Sequence, residues 1–207
     1  MEDREATEAL ERLVERTRGG QPWRRLFHAA NGVLIATVLV GWPMPDRAAA
    51  GALLTVTAAL LAFDFVRLSV PAANELFFRM FTALVSPREA GGVASSTWYM
   101  MGVTSAVVLF PRHEAISGVL VLALADPAAS YIGRRWGRRP FLGGTIAGST
   151  AFLAVALAVL AVRHTWPVAL AVAPFLTLLE RRSWPLDDNL TVPVAGAASL
   201  AALAAWM

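Results

Sequence analysis

Two residue types are missing from this 207-residue chain: it has no cysteine, and all 18 of its basic residues are arginine. Without cysteine, neither a disulfide framework nor a thiolate metal site is available. Without lysine there is no P-loop lysine contact, no Schiff base to pyridoxal phosphate and no lysine contact of the protein-kinase type. Charge of either sign is also scarce. Only 16% of residues are charged against 57% hydrophobic, and the mean hydropathy of +0.55 is too high for a soluble domain of ordinary composition. The bilayer is the natural solvent for such a chain. At about 20 apolar residues per crossing, the length suits one compact bundle rather than several domains.

Seven apolar segments, at 26–42, 46–66, 93–110, 114–133, 144–162, 166–180 and 190–206, predict an all-α, polytopic bundle of about seven transmembrane helices. Residues 1–25 read as a separate amphipathic segment, because Leu10, Leu13, Val14 and Thr17 trace one helical stripe among Glu and Arg. Such a helix lies on a membrane surface or stands solvated with Glu8 paired to Arg12. Residues 26–207 form the single transmembrane domain. The interval 67–92 is more polar and reads as an interfacial helix, with Leu76, Phe77, Met80, Phe81 and Leu84 at helical spacing.

Arginine placement supports this layout independently. The amino-terminal segment and the second, fourth and sixth loops hold Arg24, Arg25, Arg67, Arg79, Arg88, Arg134, Arg135, Arg138, Arg139, Arg181 and Arg182, among others; the odd loops hold Arg47, Arg112 and Arg163. Cytoplasmic loops carry the excess of positive residues. The amino terminus is therefore expected inside and the carboxyl terminus outside. A nucleic-acid role is not expected, since topology already explains the arginines.

Asp126 is the most informative residue, because no charged residue lies between Ala115 and Ala125 or between Pro127 and Gly133. A carboxylate at a span centre costs about 2.5–3.5 kcal/mol on insertion scales, so it faces a cavity, an ion or a partner. Asp-Pro reads as an N-cap with proline at the first helical position or as a kink in a continuous helix. Ser130, Gly133 and Gly137 follow on the same helical face, small enough for a ligand or a neighbouring helix to approach.

The next loop, GRRWGRRPFLGGTIAGST, joins Arg134, Arg138 and Arg139 to Gly143, Gly144 and Gly148, with Thr145 and Ser149 opening the following helix. Glycine-rich backbone, a helix amino terminus and bidentate arginine all suit phosphate. A third segment, LDDNLTVP, offers Asp187, Asp188 and Asn189, which are hard oxygen ligands suited to Mg²⁺ or ordinary capping residues. His28 and Asn31, and Arg88 and Glu89, are further polar positions placed to meet a head group.

The sequences DPAASYIGRRWG, GGTIAGSTAF and DDNLTVP, in that order, resemble the polyprenol, phytol and diacylglycerol kinase family of membrane enzymes, many of which use CTP. RRLFHAANGVLIA and SPREAGGVASSTWYMMG extend the likeness more loosely over most of the chain. The resemblance implies transfer of a CTP or ATP γ-phosphoryl group to a lipid alcohol with Mg²⁺. It places Asp126, Gly133, Gly137, Thr145, Gly148, Ser149, Asp188 and Asn189 at the nucleotide and metal site. Asp126, Arg134 and Arg138 are then the expected catalytic residues, Arg139 and Ser130 further nucleotide contacts, and the surroundings a bacterial or archaeal plasma membrane, with a homodimer left open. This family usually has lysine just before the threonine of the second motif, where Gly143 and Gly144 stand here; the departure implies that Arg138 or Arg139 substitutes, that the nucleotide preference differs or that activity is weak. Phosphatidate cytidylyltransferases share part of the pattern, so cytidylyl transfer is the first rival reading and ion-coupled transport through Asp126 the second.

Overall fold

The computed structural model describes residues 10–17, 22–182 and 186–206; the first nine residues of the expected amphipathic segment and residues 18–21 lie outside them. The described chain is all-α apart from one short hairpin. Its principal helices are α1 (Pro22–Gly41), α2 (Asp46–Ser69), α3 (Pro71–Met80), α4 (Ser95–Leu109), α5 (Arg112–Trp136), α6 (Ile146–Arg163), α7 (Trp166–Arg181) and α8 (Asp188–Trp206). All but α3 coincide with the seven apolar segments. A 3₁₀ turn, Pro87–Ala90, precedes α4, and the strands Pro140–Phe141 (β1) and Gly144–Thr145 (β2) separate α5 from α6.

Among the described residues, four helices are long and apolar enough to cross a membrane: α2, α5, α6 and α8. α4 and α7, of 15 and 16 residues, are short of the roughly 20 that a crossing needs. α1 has 20 residues but opens on Arg24, Arg25, His28 and Asn31, which lower its hydropathy. The expected count of about seven spans is therefore met by four.

Side-chain contacts fix which ends of the helices lie together. Arg112, at the start of α5, donates to the Met44 carbonyl at 2.9 Å and pairs with Asp46 at 2.9 Å, while His113 meets the Arg163 carbonyl at 3.1 Å. The α1–α2, α4–α5 and α6–α7 connections thus gather at one end. At the other end Arg24 pairs with Glu89 at 3.6 Å, and Arg67 donates to the Glu89 and Gly92 carbonyls at 2.7 Å each. The even, arginine-rich loops collect there.

α5 is the central helix, packed against α1, α6 and α8, with Val119, Val121, Leu122 and Ala125 in the main core. Small residues set its spacing. A Cβ on Gly118 would lie 2.5 Å from the Pro193 carbonyl oxygen of α8, and one on Gly196 would lie 3.2 Å from the Gly118 Cα, a close approach typical of membrane helices. Large apolar side chains such as Leu34, Phe65, Val162 and Leu170 are turned outward, as expected where lipid replaces water.

The 67–92 interval folds over the end of α2 around one buried cation. Arg67 is fully buried; its guanidinium bonds Asp64 at 2.5 Å and Asn74 at 3.1 Å and lies 4.5 Å over the Phe77 ring. The other Asp64 oxygen accepts the Ala94 N–H at 3.0 Å. Phe77, Phe78, Val85 and Ala94 form a satellite cluster on which Leu10, Leu13 and Val14 pack. The apolar stripe near the amino terminus is thus turned onto protein.

Candidate active site

Three carboxylates from three helices converge at the arginine-rich end. Asp126 comes from α5, Glu180 from the last turn of α7 and Asp188 from the first turn of α8, and one oxygen from each lies within 4.8 Å of the others. At that separation each ionised pair repels by about 3–4 kcal/mol at an effective dielectric constant near 20, so the group is relieved by neighbouring cations or by taking up a proton. α5 runs unbroken through Pro127, which makes Asp-Pro an in-helix proline rather than an N-cap. The ring lacks an N–H, so the Ala123 carbonyl one turn earlier loses its helical donor.

The two neighbouring aspartates divide their work. Asp187 Oδ1 accepts the Asn189 N–H at 3.0 Å and the Asn189 side-chain amide at 2.6 Å, and the Asp187 carbonyl accepts the N–H groups of Leu190 and Thr191. Asp187 is therefore the N-cap of α8, while Asp188, whose Oδ1 shares the Asn189 N–H at 2.9 Å, belongs to the acidic group. Glu180 is paired with its neighbour Arg181.

A cavity of about 290 Å³ lies among these groups. α1 contributes Arg24, Arg25 and His28; α5 contributes Asp126, Ser130, Gly133 and Arg134. Gly144, Thr145 and Gly148 come from the hairpin and the start of α6, Glu180 and Arg181 from α7, and Asp188 and Asn189 from α8. His28 of α1 and Asn189 of α8 thus line the same cavity.

The glycine-rich loop is a tight hairpin, with Pro140 opposite Thr145 and Phe141 opposite Gly144. Its two turn residues, Leu142 (φ 43°) and Gly143 (φ 80°), both have positive φ, as a two-residue primed turn requires. Gly143 is spent on the turn and lies outside the cavity lining. Gly144 is different: a Cβ there would lie 1.7 Å from Arg181 Nη1, so the missing side chain leaves room for that guanidinium. Arg181 is the arginine that lies beside Gly144, and neither Arg138 nor Arg139 is among the residues that line the cavity.

Gly137 serves packing, since its Cβ would sit 2.5 Å from Thr145 Oγ1. Gly133 and Gly148 both pack and line the cavity; a Cβ on Gly148 would lie 3.3 Å from the Gly133 Cα. Thr145 caps α6 by accepting the Gly148 N–H at 3.1 Å, and the Ile146 N–H donates to the Arg139 carbonyl at 3.0 Å. Two of the four amino-terminal donors of α6 are thus already engaged, leaving less of a backbone cradle than the loop composition suggests. Ser149 faces away, its buried hydroxyl without a hydrogen-bond partner, into a shallow groove with Phe141 and Ile146.

Asn31 and Glu89 line a second, largely apolar chamber of about 330 Å³ that shares Arg24 and His28 with the first. Arg88 is exposed and lines neither. Sequence reasoning missed Glu180 and Arg181 and gave Arg24 and Arg25 little weight. A signal was present at Glu180, because the topology rule calls for arginine at the end of a span and gives no reason for an acid beside it.

Fold and cavity together define a helical membrane-type bundle whose arginine-rich end is suited to a phosphorylated ligand and a hard cation. The chain is 28% identical over 158 residues to CTP-dependent diacylglycerol kinase 1 of Schizosaccharomyces pombe, covering 66% of this chain and 72% of that protein. It is 27% identical over 134 residues to CTP-dependent diacylglycerol kinase 1 of Saccharomyces cerevisiae, covering 61% of this chain and 46% of that protein. Against the protein of the same name from Eremothecium gossypii it is 28% identical over 135 residues, covering 64% and 42%. The chain thus spans less than half the length of the latter two. These relatives support a diacylglycerol/polyprenol kinase-like family for the chain, in agreement with the three motifs. No protein-family model matches the chain, and no solved structure matches it.

Proposed function

We propose that the chain transfers the γ-phosphoryl group of CTP to the hydroxyl of a lipid alcohol, with diacylglycerol the leading acceptor, polyprenol and phytol the others, and ATP the alternative donor. The observation that carries this reading is the meeting of Asp126, Glu180 and Asp188 with Arg24, Arg134 and Arg181 in one cavity. The similarity to CTP-dependent diacylglycerol kinases supports CTP and diacylglycerol.

Phosphoryl transfer depends on positioning and charge neutralisation more than on covalent help. The lipid oxygen bonds to the γ-phosphorus, the bond from that phosphorus to the bridging oxygen breaks, CDP leaves, and the hydroxyl proton passes to a base. Arg181 beside Gly144, with Arg24 and Arg134, bears on the phosphate charge. Asp126, Glu180 and Asp188 form a hard-oxygen donor set that fits Mg²⁺, which when bound neutralises phosphate oxygens. Asp187 is left out of that set because it caps α8. Asp126 acts either as the base or as an ion ligand, and both roles need its negative charge. His28, Asn31 and Glu89 face the lipid head group. The reading includes seven spans in a plasma membrane, with the amino terminus inside.

Purified protein supplied with CTP labelled at the α or the γ phosphorus, crossed with diacylglycerol, polyprenol and phytol, tests the proposal. γ-Label is expected in the lipid. α-Label in the lipid with release of pyrophosphate would mean cytidylyl transfer, and failure to bind either CTP or ATP would leave transport as the better reading.

A further inference from the structure

The second chamber opens between α1, α2, α3 and α4, and its walls are apolar: Phe27, Val56, Leu60, Phe63, Phe81 and Met100. Of these, Phe27, Val56, Phe63 and Phe81 are 39–48% exposed, on a surface that faces hydrocarbon if the helices cross the bilayer. The chamber therefore has an exposed apolar side. Polar groups are concentrated at its other end, where Arg24 and His28 belong equally to the acidic cavity. Glu89 fixes that end by pairing with Arg24 at 3.6 Å and accepting from Ser95 Oγ at 2.9 Å.

The wall nearest the acidic cavity holds Tyr99, which is 3% exposed and whose hydroxyl is buried without a hydrogen-bond partner. Its ring stands edge-on to His28 with centroids 5.0 Å apart. A Cβ on Gly32 would lie 2.1 Å from that hydroxyl, so α1 carries glycine where the tyrosine approaches. The hydroxyl itself lies against Gly32 of α1 and near Ala123 of α5, so Tyr99 closes this wall of the chamber.

Resting on the proposed phosphoryl transfer, we infer that this lateral chamber is the acceptor site: it takes one hydrocarbon chain of the lipid alcohol from the bilayer and presents the hydroxyl past Arg24 and His28 to the nucleotide cavity. Because α2 runs toward the arginine-rich end and α1 and α4 run away from it, Val56, Leu60 and Met100 form the deep half of the chamber. Chain length is measured there. The polar rim at Arg24, Glu89 and Ser95 holds the head group.

The test uses the full chain in lipid nanodiscs with a diacylglycerol carrying a diazirine on one acyl chain, together with dioleoylglycerol and dioctanoylglycerol as acceptors. Crosslinks mapped by mass spectrometry are expected on α1, α2 and α4 at chamber residues. Leu60→Trp is expected to lower kcat/KM for dioleoylglycerol at least about tenfold relative to dioctanoylglycerol, with CTP affinity held. Leu60→Ala is expected to move the preference toward the longer chain. Crosslinks on another face, or a chain-length ratio unmoved by both variants, would overturn the assignment even with phosphoryl transfer intact. Crosslinks confined to the chamber in a protein that phosphorylates no alcohol would keep the lipid site and remove the kinase reading.

Discussion

Asp126 shows how one charge in an apolar run becomes part of a site. The cost of placing it in α5 is of the order of 3 kcal/mol, and the arginines at the same cavity supply the compensation. Asp126→Asn keeps the shape and removes the charge, so turnover is expected to fall by about 10²–10³-fold in purified protein of unchanged helix content. Gly144 is a second residue whose role comes from what it lacks. Gly144→Ala puts a methyl group where Arg181 Nη1 lies and is expected to weaken nucleotide binding by about 1–2 kcal/mol, the loss of one charge-assisted contact. Calorimetric titration with CTP reads that change directly, and an unaltered dissociation constant would free Arg181 from the role given to it.

At the scale of the element, the fold over the end of α2 depends on Arg67 more than on any apolar contact. This guanidinium joins Asp64, Asn74 and the backbone of Glu89 and Gly92 in a site without solvent. Removing one partner of a buried ion pair leaves the other charge uncompensated and costs about 3–5 kcal/mol. Arg67→Met is expected to lower the unfolding midpoint and expose residues 81–94 to proteolysis, whereas Arg79→Met, at an exposed pair with Glu75, is expected to change stability by less than about 1 kcal/mol. Both pairs have a spacing, three and four, at which residues of one helix meet. Only the packed structure distinguishes the buried pair from the solvated one.

For the whole molecule, the helix ends sort into two groups, and the arginine-rich connections share one of them with the acidic cavity. Arginine in cytoplasmic loops is the strongest determinant of orientation, so a reporter fused after Met207 is expected to report the outer side and one fused before Met1 the inner side. A reporter after Met207 that proved cytoplasmic would place the cavity differently with respect to the membrane. The same sorting puts the cavity at one end, because arginines that line it, such as Arg24, Arg134 and Arg181, are partly those on which the expected orientation rests.

By itself the sequence determined that the chain is helical with segments apolar enough to cross a membrane, where those helices lie and that Asp126 needs a polar surrounding, because hydropathy and charge spacing are local properties. It also carried the three motifs that resemble the lipid kinase family. Only the tertiary structure decided that Glu180 and Arg181 complete the cavity, that Asp187 caps while Asp188 points inward, and that Gly143 turns a hairpin while Gly144 makes room for a guanidinium. Those roles depend on which side chains from distant segments meet, and a charged residue at a span end reads the same in sequence whether it faces water, lipid or another helix.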